Sequence, residues 1–387
     1  MLGRGDAVNI GILQERSPGE HRVATTPVNV ARFVKLGLPI LVESGAGKDA
    51  GFSDAAYESA GATIVSRADA LARADILLAV RPPAAADLAG IRAGTKLIGG
   101  LSPYADPARL EAYAALGVEA MALELLPRTT RAQAMDILSS QANLAGYHAV
   151  VRASTELNRC LPMMTTAAGS IPAAKAFVMG VGVAGLQAIA TARRLGAIVS
   201  ATDVRPEVRE QIQSLGAKPI FEDIGEGDEV TKAAGGYAGE MSEAYRTRQA
   251  ALVSSHISNQ DIVITTALIP GRPAPRLVSD AQIATMRPGS VIVDLAAENG
   301  GNVEGVVAGD MVERHGVLII GLTNGATRLA VDASNLFARN CYNFIEAYWN
   351  KTDKAIAMPA DDMLVEAVTL TRGGQIVHPR FAQTQTA

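Results

Sequence analysis

Short apolar runs that suit strands alternate along this chain with stretches whose apolar residues recur every three or four positions. Residues 8–13 read as a strand, 28–36 as a helix and 40–42 as a strand. The rhythm continues with a helix at 55–60, a strand at 63–65, a helix at 68–73 and a strand at 76–80. Residues 96–98 and 118–120 follow as strands, with 108–116 a helix between them. Strands that are apolar throughout belong in a parallel sheet covered on both faces, so this is a doubly wound α/β domain. It has a small glycine loop at Gly45 and Gly47 but no GxGxxG turn, and no nucleotide is assigned to it. Residues 140–157 predict a long helix, with Leu144, Tyr147, Val151 and Ser154 along one face, that carries the chain into a second domain. There the alternation resumes, with strands at 176–179, 198–201, 262–265, 291–295 and 318–320. A helix at 332–348 returns the chain to the first domain, where 364–371 and 375–378 flank a hairpin turn at Arg372, Gly373 and Gly374. The expected architecture is two doubly wound Rossmann-like α/β domains: residues 1–138 with 331–387, and residues 139–330.

The second domain opens on residues 175–205, KAFVMGVGVAGLQAIATARRLGAIVSATDVR, which read as strand, glycine turn, helix and strand. Gly180, Gly182 and Gly185 stand in GxGxxG spacing. The first glycine permits a tight turn, the second a close backbone approach to a pyrophosphate, and the third close packing of helix on strand. A phosphate would meet free N–H groups at the helix start, where the macrodipole also favours an anion. Asp203 lies 23 positions after Gly180, about where a carboxylate accepts the adenosine ribose hydroxyls. Its charge would face a 2′-phosphate, which favours NAD(H) over NADP(H), with Arg205 as a counterweight. Ligands of open α/β sheets sit beyond the carboxyl ends of the strands. Thr265, Thr266, Ala267 and Leu268 lie at one such end, and Asp294, Leu295 and Ala296 at another. Residues 221–244 are acidic, glycine-rich and too long for an ordinary loop; Tyr237 beside Gly235 and Gly236 suggests a lid that closes on a ligand.

Composition narrows the function. The chain has 387 residues, 48% of them hydrophobic and only 4% aromatic, which fits two aliphatic-cored domains. A net charge of -4 with scattered Lys and Arg offers no field for nucleic acid. Cys160 and Cys341 show no metal or CxxC spacing, which points to a reducing, cytoplasmic compartment. The N-terminal residues lack a signal-peptide core, and the uncharged run at 176–192 is too rich in glycine and turn signals for a membrane span. His21, His148, His256, His315 and His378 are scattered, and no metal is expected.

Four stretches carry a family resemblance: PRTTRAQAMDILSSQANLAGY at 127–147, the glycine unit at 175–205, GGYAGEM at 235–241 and TTALIPGRPAP at 265–275. With GEHRVA at 19–24 and GQIVHP at 374–379, they closely resemble the NAD(H)-binding domain of proton-translocating transhydrogenase over nearly the whole chain. The resemblance implies a homodimer that takes NADH and passes a hydride to NADP(H) bound on a partner subunit. It also implies a membrane-spanning subunit that moves protons, with this domain peripheral on the cytoplasmic side of the inner membrane. Because no apolar 20-mer or second nucleotide fingerprint occurs before Ala387, the expected form is the one in which this domain is its own polypeptide. By resemblance Gln133 and Asp136 act near the nicotinamide and its ribose, with Arg128 and Ser139 completing that polar set. Val183 and Asp203, Val204 and Arg205 would line pyrophosphate and adenosine. Gly235 and Tyr237 would form the closing loop, and Gln249 with Thr266, Ala267 and Leu268 the remaining wall. Direct hydride transfer between two rings moves no proton, so it requires held geometry and exclusion of water rather than an acid/base pair. Without the resemblance, Arg128, Gln133, Asp136 and Ser139 also read as helix capping and a surface ion pair.

Two other readings compete. Alanine dehydrogenases share the two-lobed layout but need an acid/base pair, with a lysine in Val-Lys-Glu-Pro and a histidine in Leu-His-Leu. Here those stretches read Val80-Arg81-Pro82-Pro83 and Leu101-Ser102-Pro103, and neither arginine nor serine can take the role. Arg22, which would hold a substrate carboxylate there, is present. Leu13-Gln14-Glu15 stands where transhydrogenases commonly carry Pro-Lys-Glu, at positions on which no hydride chemistry rests. A noncatalytic NAD sensor is the third reading.

Overall fold

A computed structural model describes residues 8–223 and 242–382. The chain divides into two compact units, one of residues 1–141 with 327–387 and one of residues 142–326.

Unit 1 is built on a six-stranded parallel sheet of order β3-β2-β1-β4-β5-β6. Its strands are β1 (Ile10–Ile12), β2 (Ile40–Glu43), β3 (Thr63–Val65), β4 (Ile76–Ala79), β5 (Lys96–Gly99) and β6 (Glu119–Ala122). Four helices alternate with them: α1 (Pro27–Leu36), α2 (Asp54–Ser59), α3 (Arg67–Arg73) and α4 (Pro107–Ala115). Local signals set their ends. Ser53, Ser66 and Asp106 cap the starts of α2, α3 and α4 by accepting a backbone N–H, and Gly37 closes α1 in the left-handed region at φ +85°. Along β4, Ile76 and Leu78 join the core on one face while Leu77 and Ala79 join the core on the other. Burial on both faces is why such strands read as unbroken apolar runs.

Helix α5 (Ile137–Glu156) spans the division between the units. Its buried face differs from the expected one. Gly146, Ala149, Val150 and Ala153 face the core of unit 2, while Tyr147 is 41% exposed and Leu144, Val151 and Ser154 are half-buried. The cause is close approach: a Cβ on Gly146 would lie 2.1 Å from the Ala184 carbonyl oxygen, so small residues form the contact.

Unit 2 first runs through an exposed hairpin, β7 (Met164–Thr166) and β8 (Gly169–Ile171). Its sheet has the order β11-β10-β9-β12-β13-β15-β14. These strands are β9 (Lys175–Met179), β10 (Ile198–Thr202), β11 (Lys218–Pro219), β12 (Ile262–Thr265), β13 (Val291–Asp294), β14 (Met311–Arg314) and β15 (Val317–Gly321). All pairs are parallel except β14 on β15. Helices α6 (Val183–Arg194), α7 (Arg209–Ser214), α8 (Glu243–Ile257) and α9 (Asp280–Ile283) accompany them. The edge strand β14 escapes the apolar-run criterion because its residues alternate between exposed and half-buried.

The chain returns to unit 1 through α10 (Ala330–Glu346), whose Phe337, Cys341 and Phe344 enter the same core as Ile10 and Ile76. The C-terminal stretch needs a correction. Residues 364–368 are not extended: Met363–Val368 is a helix, α11, started by Asp362, whose side chain accepts the N–H groups of Leu364 and Val365. The hairpin after it is real but short, pairing Thr371–Arg372 with Gln375–Ile376 through Gly373 and Gly374, both at positive φ.

Two half-buried glutamates tie strand ends together in unit 1. Glu15, just past β1, accepts the N–H of Val80 at 2.6 Å and of Arg81 at 3.2 Å. Glu124, past β6, accepts the N–H groups of Leu101 and Ser102. Burial outweighs these bonds and pushes each pKa up to about 7. A carboxyl whose folded pKa is raised contributes stability that is complete below the unfolded value, near 4.5, and is lost as pH climbs through 7. Unfolding by urea at pH 5 and pH 8 should therefore show a fall of roughly 2 kcal/mol per carboxyl. Burial depresses His256 and His378, which works the other way below their ordinary value. Comparing wild type with Glu15→Gln cancels that contribution. If the two proteins had parallel pH profiles, burial of an ionisable Glu15 would be ruled out.

Candidate functional site

The glycine turn between β9 and α6 has the three-part geometry that its spacing predicts. Gly180 adopts φ +100°, and a Cβ there would lie 2.5 Å from the Thr266 hydroxyl. Gly185 sits in the first turn of α6, where a Cβ would lie 1.9 Å from the Gly180 carbonyl oxygen. Gly182 is the helix N-cap, and a Cβ on it would meet nothing within 4 Å. No side chain caps this helix, so its first N–H groups point into that open space with the positive end of the dipole behind them. Val183 is 38% exposed beside it.

Asp203, immediately after β10, has a largely buried carboxylate. One oxygen accepts the Val181 N–H at 2.6 Å, and the other accepts the backbone and Nε of Arg205, both at 2.9 Å. The carboxylate is thereby fixed against the glycine turn with Arg205 folded over it, while Val204 is exposed. Gln249 from α8 is fully engaged: it accepts the Glu222 N–H and donates to the Thr202 hydroxyl and the Ile220 carbonyl. It braces the ends of β10 and β11. On the far side of β9, Thr266 follows β12 and donates its hydroxyl to the Gly180 carbonyl at 3.0 Å, while Leu268 is 50% exposed. The strand order reverses at β9, between β10 and β12, so this is the topological switch point where dinucleotides cross doubly wound sheets. Gly180, Gly182, Val183, Gly185, Asp203, Val204, Arg205, Thr266, Ala267 and Leu268 thus stand at or just beyond the carboxyl ends of β9, β10 and β12 in unit 2. Gly235 and Tyr237 lie outside the described residues.

In unit 1 the segment leading into α5 holds the other four predicted residues. Asp136 precedes the helix, and its carboxylate accepts the Ser139 N–H at 2.9 Å and the Ser139 hydroxyl at 2.5 Å. That is an N-cap, so capping accounts for these two positions whatever else they do. Gln133 stands in the short 3-10 turn Gln133–Met135 with its side chain exposed, and Arg128 is exposed as well.

Unit 1 also has a cavity of about 500 Å³ at its own switch point, beyond the ends of β1 and β4. Its four arginines are already engaged: Arg16 with Asp87, Arg67 with Glu43, Arg81 with Glu20 and Arg109 with Asp106. Arg22 is clasped by both oxygens of Glu20 and also reaches Gln141. Ser102 adopts a left-handed conformation at φ +45°. Among the described residues no group of His, Cys, Asp and Glu could hold a metal.

Sequence reasoning missed Asn302. It follows Gly300 and Gly301, a glycine pair that closes the short turn Ala297–Asn299 after β13 and was the available signal.

Comparison with known proteins covers both units. Residues 11–145 match the alanine dehydrogenase/PNT N-terminal domain, and residues 149–379 match its C-terminal domain. The chain is 48% identical over 378 residues to the first part of NAD(P) transhydrogenase subunit alpha of Rhodospirillum rubrum, covering 96% of this chain and 98% of that protein. It superposes on the crystal structure of transhydrogenase from Sinorhizobium meliloti with a TM-score of 0.87 and 50% identity, over 95% of this chain and all of that one. Alanine dehydrogenase of Mycobacterium tuberculosis is more distant, 31% identical over 302 residues, with 77% of this chain and 75% of that protein covered.

Proposed function

Because the chain belongs to the alanine dehydrogenase/PNT family, among its transhydrogenase alpha subunits, we propose that it is the NAD(H)-binding subunit of a proton-translocating transhydrogenase. In this role it passes a hydride directly from NADH to NADP⁺ held on a partner subunit, giving NAD⁺ and NADPH, and a membrane-spanning subunit couples the transfer to proton movement. The observation that carries the reading is the Gly180–Gly185 turn, folded against Asp203 and Thr266 with open space at Gly182. The α6 N-terminus holds the pyrophosphate, Asp203 takes the adenosine ribose, and Thr266, Ala267 and Leu268 wall the nicotinamide half. Gln133 and Asp136 orient the ring and its ribose, with Arg128 and Ser139 supporting that segment, and Gly235 and Tyr237 belong to the same cofactor site. NADH supplies the hydride; the chain supplies position and exclusion of water.

The assembly we propose is a homodimer, peripheral on the cytoplasmic side of the inner membrane through its partner subunits. Among the described residues no helix is long and apolar enough to cross a membrane, which suits a role that leaves the crossing to a partner. Amino-acid oxidation is disfavoured by Arg81 and Ser102, which cannot replace a titrating lysine and an imidazole. Mixing the purified chain with an isolated NADP(H)-binding transhydrogenase domain should restore NADH-dependent reduction of NADP⁺. Intact NADH binding without turnover in that mixture would instead favour a sensor, and NADH formation from alanine and NAD⁺ would revive the dehydrogenase.

A further inference from the structure

Resting on this reading and extending it, we infer that Asn302 is a positioning residue for the nicotinamide end of the cofactor. Its side-chain amide clamps the segment after β12 and fixes where Thr266, Ala267 and Leu268 stand. Asn302 is wholly buried. Its carboxamide oxygen accepts the Ala267 N–H at 3.0 Å, and its nitrogen donates to the carbonyl of Ala267 at 2.9 Å and of Pro275 at 2.8 Å. The amide therefore pairs with Ala267 in both directions, as a neighbouring strand would, and draws the two ends of the 267–275 loop together. A carboxylate lacks the donors for this and a hydroxyl has only one of the two needed, so the site calls for a primary amide.

The clamp is anchored from behind and connected in front. At the end of β13 one oxygen of the buried Asp294 carboxylate accepts the N–H of Asn302 at 2.7 Å and of Val303 at 3.0 Å. Its other oxygen accepts the Ala296 N–H at 2.8 Å. Gly301, which delivers Asn302, adopts φ +76°, and a Cβ there would lie 2.2 Å from Val306 and 2.9 Å from the Asp294 carboxylate. Only glycine fits that turn. In front, the Thr266 hydroxyl meets the Gly180 carbonyl, so a continuous chain of bonds runs from Asp294 through Asn302 and Ala267 to the glycine turn.

The position of the clamp identifies what it serves. With Asp203 taking adenosine on the β10 side of the switch point, the nicotinamide half falls on the β12 side, which is where Ala267 is pinned. Leu268 and Ile269 remain half-exposed on this fixed backbone, apolar surfaces held ready for a flat ring. A wall fixed before binding requires little ordering when the ligand arrives.

ADP-ribose carries everything in NADH except the nicotinamide, so it separates the two ends of the site. Affinities for NADH, by its fluorescence, and for ADP-ribose, by calorimetry, are to be measured on wild type, Asn302→Ala and Asn302→Ser. Both variants should bind NADH about tenfold more weakly while binding ADP-ribose within about twofold of wild type. Equal weakening of both ligands, unchanged NADH binding, or failure of both variants to fold would overturn the positioning role. A wild-type protein that bound ADP-ribose but not NADH would show that the functional reading itself had failed, and the inference with it.

Discussion

Gly185→Val should lose NADH binding by a factor on the order of 10³, because the substitution displaces the pyrophosphate site rather than trimming a contact. The geometry leaves no room for relaxation: a Cβ at this position would lie 1.9 Å from a backbone oxygen, that of Gly180. That carbonyl also accepts the Thr266 hydroxyl, so pushing it away shifts the glycine turn, the start of α6 and the loop after β12 together. Overpacking of this kind should also cost about 1–3 kcal/mol of stability, visible as a lower thermal midpoint. Gly182→Ala provides the contrast, since its Cβ would meet no protein atom within 4 Å. It should leave the thermal midpoint nearly unchanged yet weaken NADH, because the added methyl group occupies space meant for phosphate. Wild-type affinity in Gly185→Val would mean that NADH binds somewhere other than this turn.

The same contrast shows what can be read from residues in order and what cannot. Gly180 turns at positive φ, Gly182 opens the helix and Gly185 lies against the Gly180 carbonyl, all matters of near neighbours in the chain, so their spacing alone announces the turn. The inner strands of both sheets are equally legible, since burial on two faces makes every residue of β4 or β12 apolar or nearly so. Legibility fails where a partner is remote. The buried face of α5 is lined by Gly146, Ala149 and Ala153, whose importance comes from how close Ala184 approaches, while the larger Leu144 and Tyr147 suggest a different stripe. Residues 364–368 are apolar enough for a strand, but the Asp362 cap decides for a helix. Asn302 bonds to Ala267, 35 positions earlier, with only the glycine pair before it as a local mark, and Glu15 bonds to Val80, 65 positions later, with nothing local to distinguish it from an ordinary polar loop residue.

Gln133→Ala and Asp136→Asn should prove decisive for turnover and nearly irrelevant to stability. Among the described residues the Gln133 side chain makes no hydrogen bond and is exposed, so Gln133→Ala removes no hydrogen bond and should change stability by less than about 0.5 kcal/mol. Asp136 is an N-cap, and alanine there would confound function with the loss of about 1 kcal/mol of helix stability. Asparagine caps as well as aspartate, so Asp136→Asn keeps α5 while removing the charge. Hydride transfer falls steeply when the two rings are misaligned; a displacement of about 1 Å is enough to cost roughly 100-fold. If Gln133 and Asp136 orient the nicotinamide and its ribose, each variant should reduce hydride transfer to the NADP(H) domain by about that factor, while NADH affinity falls by less than about threefold. Stopped-flow transfer rates at saturating NADH, set beside binding titrations on the same samples, measure both quantities. Matching losses in rate and affinity would make these residues simple binding contacts. Unchanged rates in both variants would reduce Asp136 and Ser139 to the cap that their hydrogen bonds describe, and would move the control of ring geometry to the Asn302 clamp in the other unit.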